Sequence, residues 1–172
     1  MSRSIWSDSL ATFSDALAAT RPAPAGVAAA TVAAGLGISL MIKALAITGG
    51  HPDLVDAARL EAAHLRGAAD QDIGAVMEFM RSKDAAALEQ AIEAPLVAAR
   101  AVVAGLELSA SASPLVKEAL AADLQAAQAL LAGSLRAILI CLDANLRGRD
   151  GKQAEERKSL EDRASRTGVY SR

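Results

Sequence analysis

A handful of side chains in this sequence carry chemistry, and most of them stand alone in alanine-rich surroundings. Asp72 and Asp123 are the two carboxylates of interest. A carboxylate with a suitable pKa can shuttle a proton, and an ionised one stabilises a nearby cation. Asp72 sits in the run Asp70-Gln71-Asp72, which reads equally as a solvated polar patch. Asp123 lies among Ala121, Ala122 and Leu124, so it either lines a polar site or marks the wet side of a helix. Lys43 is the first charge after an uncharged run over 23–42. A buried ammonium must be paired, so it meets an anionic ligand or a carboxylate across an interface, or it snorkels from a helix end. Thr48 could bind a ligand or bond backbone locally. Arg136, in an apolar run, is expected to pair with an acid on another helix. His51 and His64 have no third ligand at a recognisable spacing, and no metal site is expected. Cys141 is expected to be a small buried apolar residue.

These residues must be held by helices. About a quarter of the 172 residues are alanine, the best helix former, and only Trp6, Phe13, Phe79 and Tyr170 are aromatic, which disfavours sheet. The spacing of Leu10, Phe13, Leu17 and Ala18 predicts a helix over 7–19, stopped by Arg21-Pro22-Ala23-Pro24. A second helix is expected over 25–47, ended by Gly49-Gly50. A third opens at Pro52 and runs to about 82. A fourth spans 84–108, with Asp84 as N-cap and Pro95 as a kink or break. Residues 109–113 read as a polar loop, and Ser113-Pro114 as the start of a fifth helix reaching about 146. The segment 147–172 is charged and poor in apolar residues, and reads as a short exposed helix, over 153–164, with frayed ends. The expected fold is an all-α, largely antiparallel bundle of about five long helices over 1–146, followed by this tail over 147–172.

Several function classes are disfavoured. A net charge of −2 gives no electrostatic basis for binding nucleic acid. One cysteine cannot form an internal disulfide or a cysteine-based zinc cluster, and suggests a reducing, cytoplasmic compartment. The N-terminal MSRSIWSDSLATFSDAL has no uninterrupted apolar run, since Asp8 and Asp15 break it, so no signal peptide is expected. The run 23–42 reaches span length, but it is mostly Ala and Gly without an aromatic belt, so no membrane span is expected.

One long stretch, LATFSDALAATRPAPAGVAAATVAAGLGISLMIKALAIT, resembles the opening of the formiminotransferase-cyclodeaminase C-terminal family. Phe13, Leu17, Ala18, Pro22, Pro24, Gly26, Leu36, Gly37, Leu40 and Thr48 match its pattern. ADQDIGAV, AIEAPLVAARAVVAGLEL and ALAADLQAAQALLAGSLRAILICL resemble later segments in the same order, so the likeness covers 10–146. The resemblance implies a homodimeric helical enzyme acting on a tetrahydrofolate derivative, as a cyclodeaminase or methenyltetrahydrofolate cyclohydrolase. It further implies Asp72 and Asp123 as catalytic residues and Gly26 and Thr48 as ligand-binding ones, without a metal; Lys43 is a ligand-binding candidate by its charge alone. The sequence departs from the pattern where it would be polar or glycine: Ala25 and Val27 flank Gly26, and Ala28, Ala46, Ala122, Ala137 and Cys141 replace serine or asparagine. Lys43 stands where that family usually has methionine. These losses imply an alternative, a non-catalytic helical homologue that keeps the dimeric bundle and binds another ligand or a protein partner.

Overall fold

The computed structural model describes residues 4–171. A 3₁₀ turn at Ile5–Ser7 precedes six helices: α1 (Leu10–Ala18), α2 (Gly26–Thr48), α3 (Pro52–Ser82), α4 (Ala85–Ala112), α5 (Ala121–Asn145) and α6 (Lys152–Arg166). No strand occurs among the described residues. The all-α bundle of five helices and a short C-terminal one is therefore the observed architecture.

α2 is the central element, packing against α3, α4 and α5. Its small residues set how closely its neighbours approach. A Cβ on Gly37 would lie 3.0 Å from the Ala127 carbonyl oxygen on α5, so a larger residue there would push the two backbones apart. On α4, a Cβ on Gly105 would come within 2.7 Å of Ile38 Cδ1. The core between these glycines is aliphatic: Ile38, Met41, Leu45, Leu96, Leu106, Leu131, Leu135 and Ile138 are all fully buried.

The helix boundaries follow local chemistry. Asp84 caps α4, its Oδ1 accepting from the Ala87 backbone N–H at 2.7 Å. α4 runs unbroken through Pro95. Pro95 cannot donate to the carbonyl of Ala91 one turn earlier, and the Asn145 side chain donates to that oxygen instead, at 3.0 Å. A proline that would orphan a buried acceptor is thus compensated from α5. The polar loop expected over 109–113 is helical as far as Ala112. Ser109, fully buried, and Ser111 bond back to the carbonyls of Leu106 and Glu107, which satisfies their hydroxyls within the helix. α5 correspondingly begins at Ala121 rather than at Pro114.

The charged tail is docked rather than exposed. Leu160, Ala164 and Tyr170 are buried, and α6 packs on α4. Arg100 of α4 bridges Glu93 and Glu156 at 2.8 and 2.6 Å, and Arg163 reaches Glu107 at 2.8 Å. Composition hid this because two buried apolar residues, Leu160 and Ala164, with Tyr170 just beyond the helix, suffice to seat a helix whose remaining face is charged.

α1 behaves in the opposite way. It carries an apolar face but no buried residue, and Leu10 is 72% exposed. The chain before it is firmly held: Trp6 packs on Gly35, the Ile5 N–H donates to Asp70 Oδ1 at 3.0 Å, and the Arg66 guanidinium lies 5.9 Å from the Trp6 ring centre.

Two substitutions check this packing in denaturant titrations. Leu160→Ala lowers stability by about 2–3 kcal/mol if α6 is docked, and leaves it unchanged if the tail is free. Asn145→Ala costs about 1–2 kcal/mol, because it orphans the Ala91 carbonyl.

Candidate functional site

Asp72 lies on α3 at the level of the α2 N-terminus. It is 3% exposed and makes no hydrogen bond or ion pair among the described residues. Burial without a partner disfavours the charged form and pushes its carboxyl up to about 6. A carboxyl titrating there exchanges protons readily near neutrality. Next to it on α5 is Cys141, whose thiol is pushed up by burial and by the Asp72 charge. Cys141 also abuts Gly26: a Cβ on Gly26 would lie 2.9 Å from the sulfur. Gly26, Asp72 and Cys141 therefore gather at one end of the bundle, drawn from α2, α3 and α5.

The start of α2 leaves donors open. Its N-cap, Ala25, makes no capping bond, whereas Ser9 caps α1 and Asp84 caps α4 through their side chains. An uncapped N-terminus presents backbone N–H groups and the positive end of the helix dipole to a polar or anionic group. The substitutions that looked most damaging do not block this approach. Val27 and Ala28 point into the core at 6% and 0% exposure, while Gly26 stays open to solvent.

The other candidates lie elsewhere. Lys43 Nζ meets Asp123 Oδ2 at 2.7 Å, joining α2 to α5 in a largely exposed pair. Two residues read separately from the sequence are thus each other's partner. Seventeen residues of helix, about 26 Å at 1.5 Å per residue, separate Lys43 from Gly26. Thr48 ends α2, where its Oγ1 accepts from the Lys117 backbone N–H at 3.2 Å, and Lys117 Nζ donates to the Ile47 carbonyl at 3.3 Å. Within one chain, then, the candidate residues form two groups at opposite ends of α2. Among the described residues Arg136 is not seen to pair with an acid on another helix; it donates to the Ser171 carbonyl. His64 bonds Glu61 at 3.0 Å. No cluster of three His, Cys, Asp or Glu suited to a metal occurs among the described residues.

Sequence reasoning missed the role of Cys141 as the contact between Asp72 and Gly26. No sequence signal placed it there; the register comes from the folded structure, where Gly37 meets Ala127 and Leu130 and Lys43 meets Asp123, an antiparallel pairing that sets residue 141 beside residue 26.

Comparison with known proteins gives two matches. A family model described as formiminotransferase-cyclodeaminase matches residues 9–165. The crystal structure of formiminotetrahydrofolate cyclodeaminase from Thermotoga maritima is similar in fold, with a TM-score of 0.81 over 96% of this chain and 90% of that one, at 19% sequence identity. No curated protein matches the chain.

The buried carboxyl has a signature in stability. Unfolded, Asp72 ionises near 3.8; folded, near 6. The folded state thus holds its proton more tightly, and this contribution is fully present below about pH 4 and is lost as pH rises through 6. Asp72→Asn removes the cost of burying the charge. The variant is expected to match the parent near pH 4 and to exceed it by on the order of 2–3 kcal/mol at pH 8, read from urea midpoints at both pH values.

Proposed function

From the premise that this chain belongs to the formiminotransferase-cyclodeaminase family, we propose that it acts on the one-carbon unit of a tetrahydrofolate derivative, with Asp72 carrying the proton. The observation that supports this most is the buried, unpartnered Asp72 carboxyl beside the open N-terminus of α2. A cyclohydrolase adds water to the cationic methenyl carbon. A cyclodeaminase bonds the formimino carbon to N10 and releases the formimino nitrogen as ammonia. Each step moves a proton as a bond to the one-carbon unit forms or breaks, and a carboxyl titrating near 6 both accepts and returns one. In its ionised form Asp72 also offsets the positive charge on that carbon.

In this reading the open backbone at Gly26 receives a polar or anionic part of the folate. Asp123 is the second catalytic carboxylate, its position fixed by Lys43, and Lys43 and Thr48 contact the ligand. Because these three lie far along α2 from Gly26 and Asp72, they can serve the same ligand only from a second copy, so the reading takes the chain to be a homodimer. It takes the protein to be cytoplasmic and its chemistry to need no metal.

A second reading is a non-catalytic homologue that keeps the bundle and binds another ligand or a protein partner. The alanines at 46, 122 and 137 and the mutual Lys43–Asp123 pair favour it, since polar groups that could face substrate are absent or engaged.

Titration calorimetry with tetrahydrofolate derivatives, followed by absorbance of the methenyl chromophore, separates the two. The enzyme reading expects binding and turnover, with turnover falling by about 10²-fold or more in Asp72→Asn while the fold is kept. Binding without turnover supports the second reading, and loss of both removes folate from consideration.

A further inference from the structure

A trough opens between α3 and α4, bordered by Arg163 of α6. It encloses about 610 Å³, within the roughly 300–1,000 Å³ of small-molecule sites. Its floor is apolar and built from small side chains: Ala63, Gly67 and Ala68 come from α3, and Val97, Ala101 and Ala104 from α4. Gly67 keeps the trough open. A glycine inside a helix costs stability relative to alanine, and the packing does not demand one here, since a Cβ on Gly67 would meet no neighbouring atom within 4 Å. Glu61 and Gln71 both line the trough, and the ten residues of α3 between them span about 15 Å.

The lip of the trough is cationic, because Arg100 and Arg163 both line it. Each guanidinium is held by acids along one edge. Arg100 donates through Nε to Glu156 at 2.6 Å and through Nη1 to Glu93 at 2.8 Å. Arg163 donates through Nε and Nη2 to Glu107 at 3.1 and 2.8 Å. Among the described residues no hydrogen bond engages Arg100 Nη2 or Arg163 Nη1. Glu93, Glu107 and Glu156 lie outside the trough, and the one acid lining it, Glu61, bonds His64 at 3.0 Å. Two guanidiniums of fixed orientation therefore keep unspent donors beside an apolar floor. We propose that this trough binds a small apolar monocarboxylic acid, its carboxylate on the open edges of Arg100 and Arg163 and its hydrocarbon part on the alanine and glycine floor. Bonds from a guanidinium to a carboxylate are charge-assisted and about twice as strong as neutral ones. The hydrocarbon part gains free energy by leaving water for methyl and methylene groups. A sugar or a polyphosphate would instead set polar groups against side chains that cannot bond them.

This site is separate from the folate reading, and its test reads binding of octanoate alone. Titration calorimetry on the full chain is expected to show saturable binding of octanoate, with octanamide weaker by about tenfold or more because the amide lacks the charge. Gly67→Leu fills the trough, where a side chain meets no obstacle at its Cβ, and leucine is the better helix former. That variant is expected to keep its helical circular dichroism and lose octanoate binding. Arg163→Gln is expected to weaken octanoate by about tenfold and to leave octanamide unchanged. Should Arg163→Gln loosen α6, the Gly67→Leu variant and the comparison of acid with amide still decide. Absence of saturable octanoate binding, equal affinity for acid and amide, or undiminished binding in Gly67→Leu would each overturn the proposal. Octanoate binding in a chain that takes up no tetrahydrofolate derivative overturns only the folate reading.

Discussion

Everything in this bundle depends on how closely α2 approaches α5. The distance is set by the absence of side chains: Gly37 faces an α5 carbonyl so closely that a methyl group there would lie 3.0 Å from the oxygen and force the helices to shift. Close backbones give dispersion contacts to many small groups at once, which replaces the bulky aromatic packing the chain lacks. The same approach fixes the register in which Gly26 reaches Cys141 and Lys43 reaches Asp123. One packing constraint therefore determines both the core and the location of every candidate side chain on these two helices.

The charges are sorted around that core. Arginines on α4 and α6 meet glutamates across the helix–helix seam, where partial exposure keeps each pair modest in energy but specific in direction. Asp72 is the exception, a buried carboxyl among the packed helices with no counter-charge among the described residues. A stable fold gains nothing from such a group, and a group that costs stability while titrating near neutrality is characteristic of sites built for proton exchange.

The helices were legible in the sequence because alanine content, prolines and glycines act locally. Asp84 as a cap, the turn at Gly49-Gly50 and the length of α3 needed no tertiary information. What could not be read required partners distant in sequence. Ser109 looked like loop until its hydroxyl found a carbonyl in its own helix, and α6 looked free because two buried residues are a weak signal among many charges. Lys43 and Asp123 drew attention one at a time, since eighty residues separate an ammonium from the carboxylate it bonds. The site was legible only as residue types; that Asp72 and Gly26 share a neighbour while Thr48 lies at the far end of α2 follows from helix pairing.

The segment that leads into α1 has an optical consequence. Trp6 is the one tryptophan in the chain, and it sits on Gly35 beneath Arg66, outside the aliphatic core. Its emission therefore reports the seating of this short strap rather than the integrity of the bundle. Fluorescence and far-ultraviolet circular dichroism observe different parts of the same molecule, and a strap that lifts while the helices persist would be seen by the first and missed by the second.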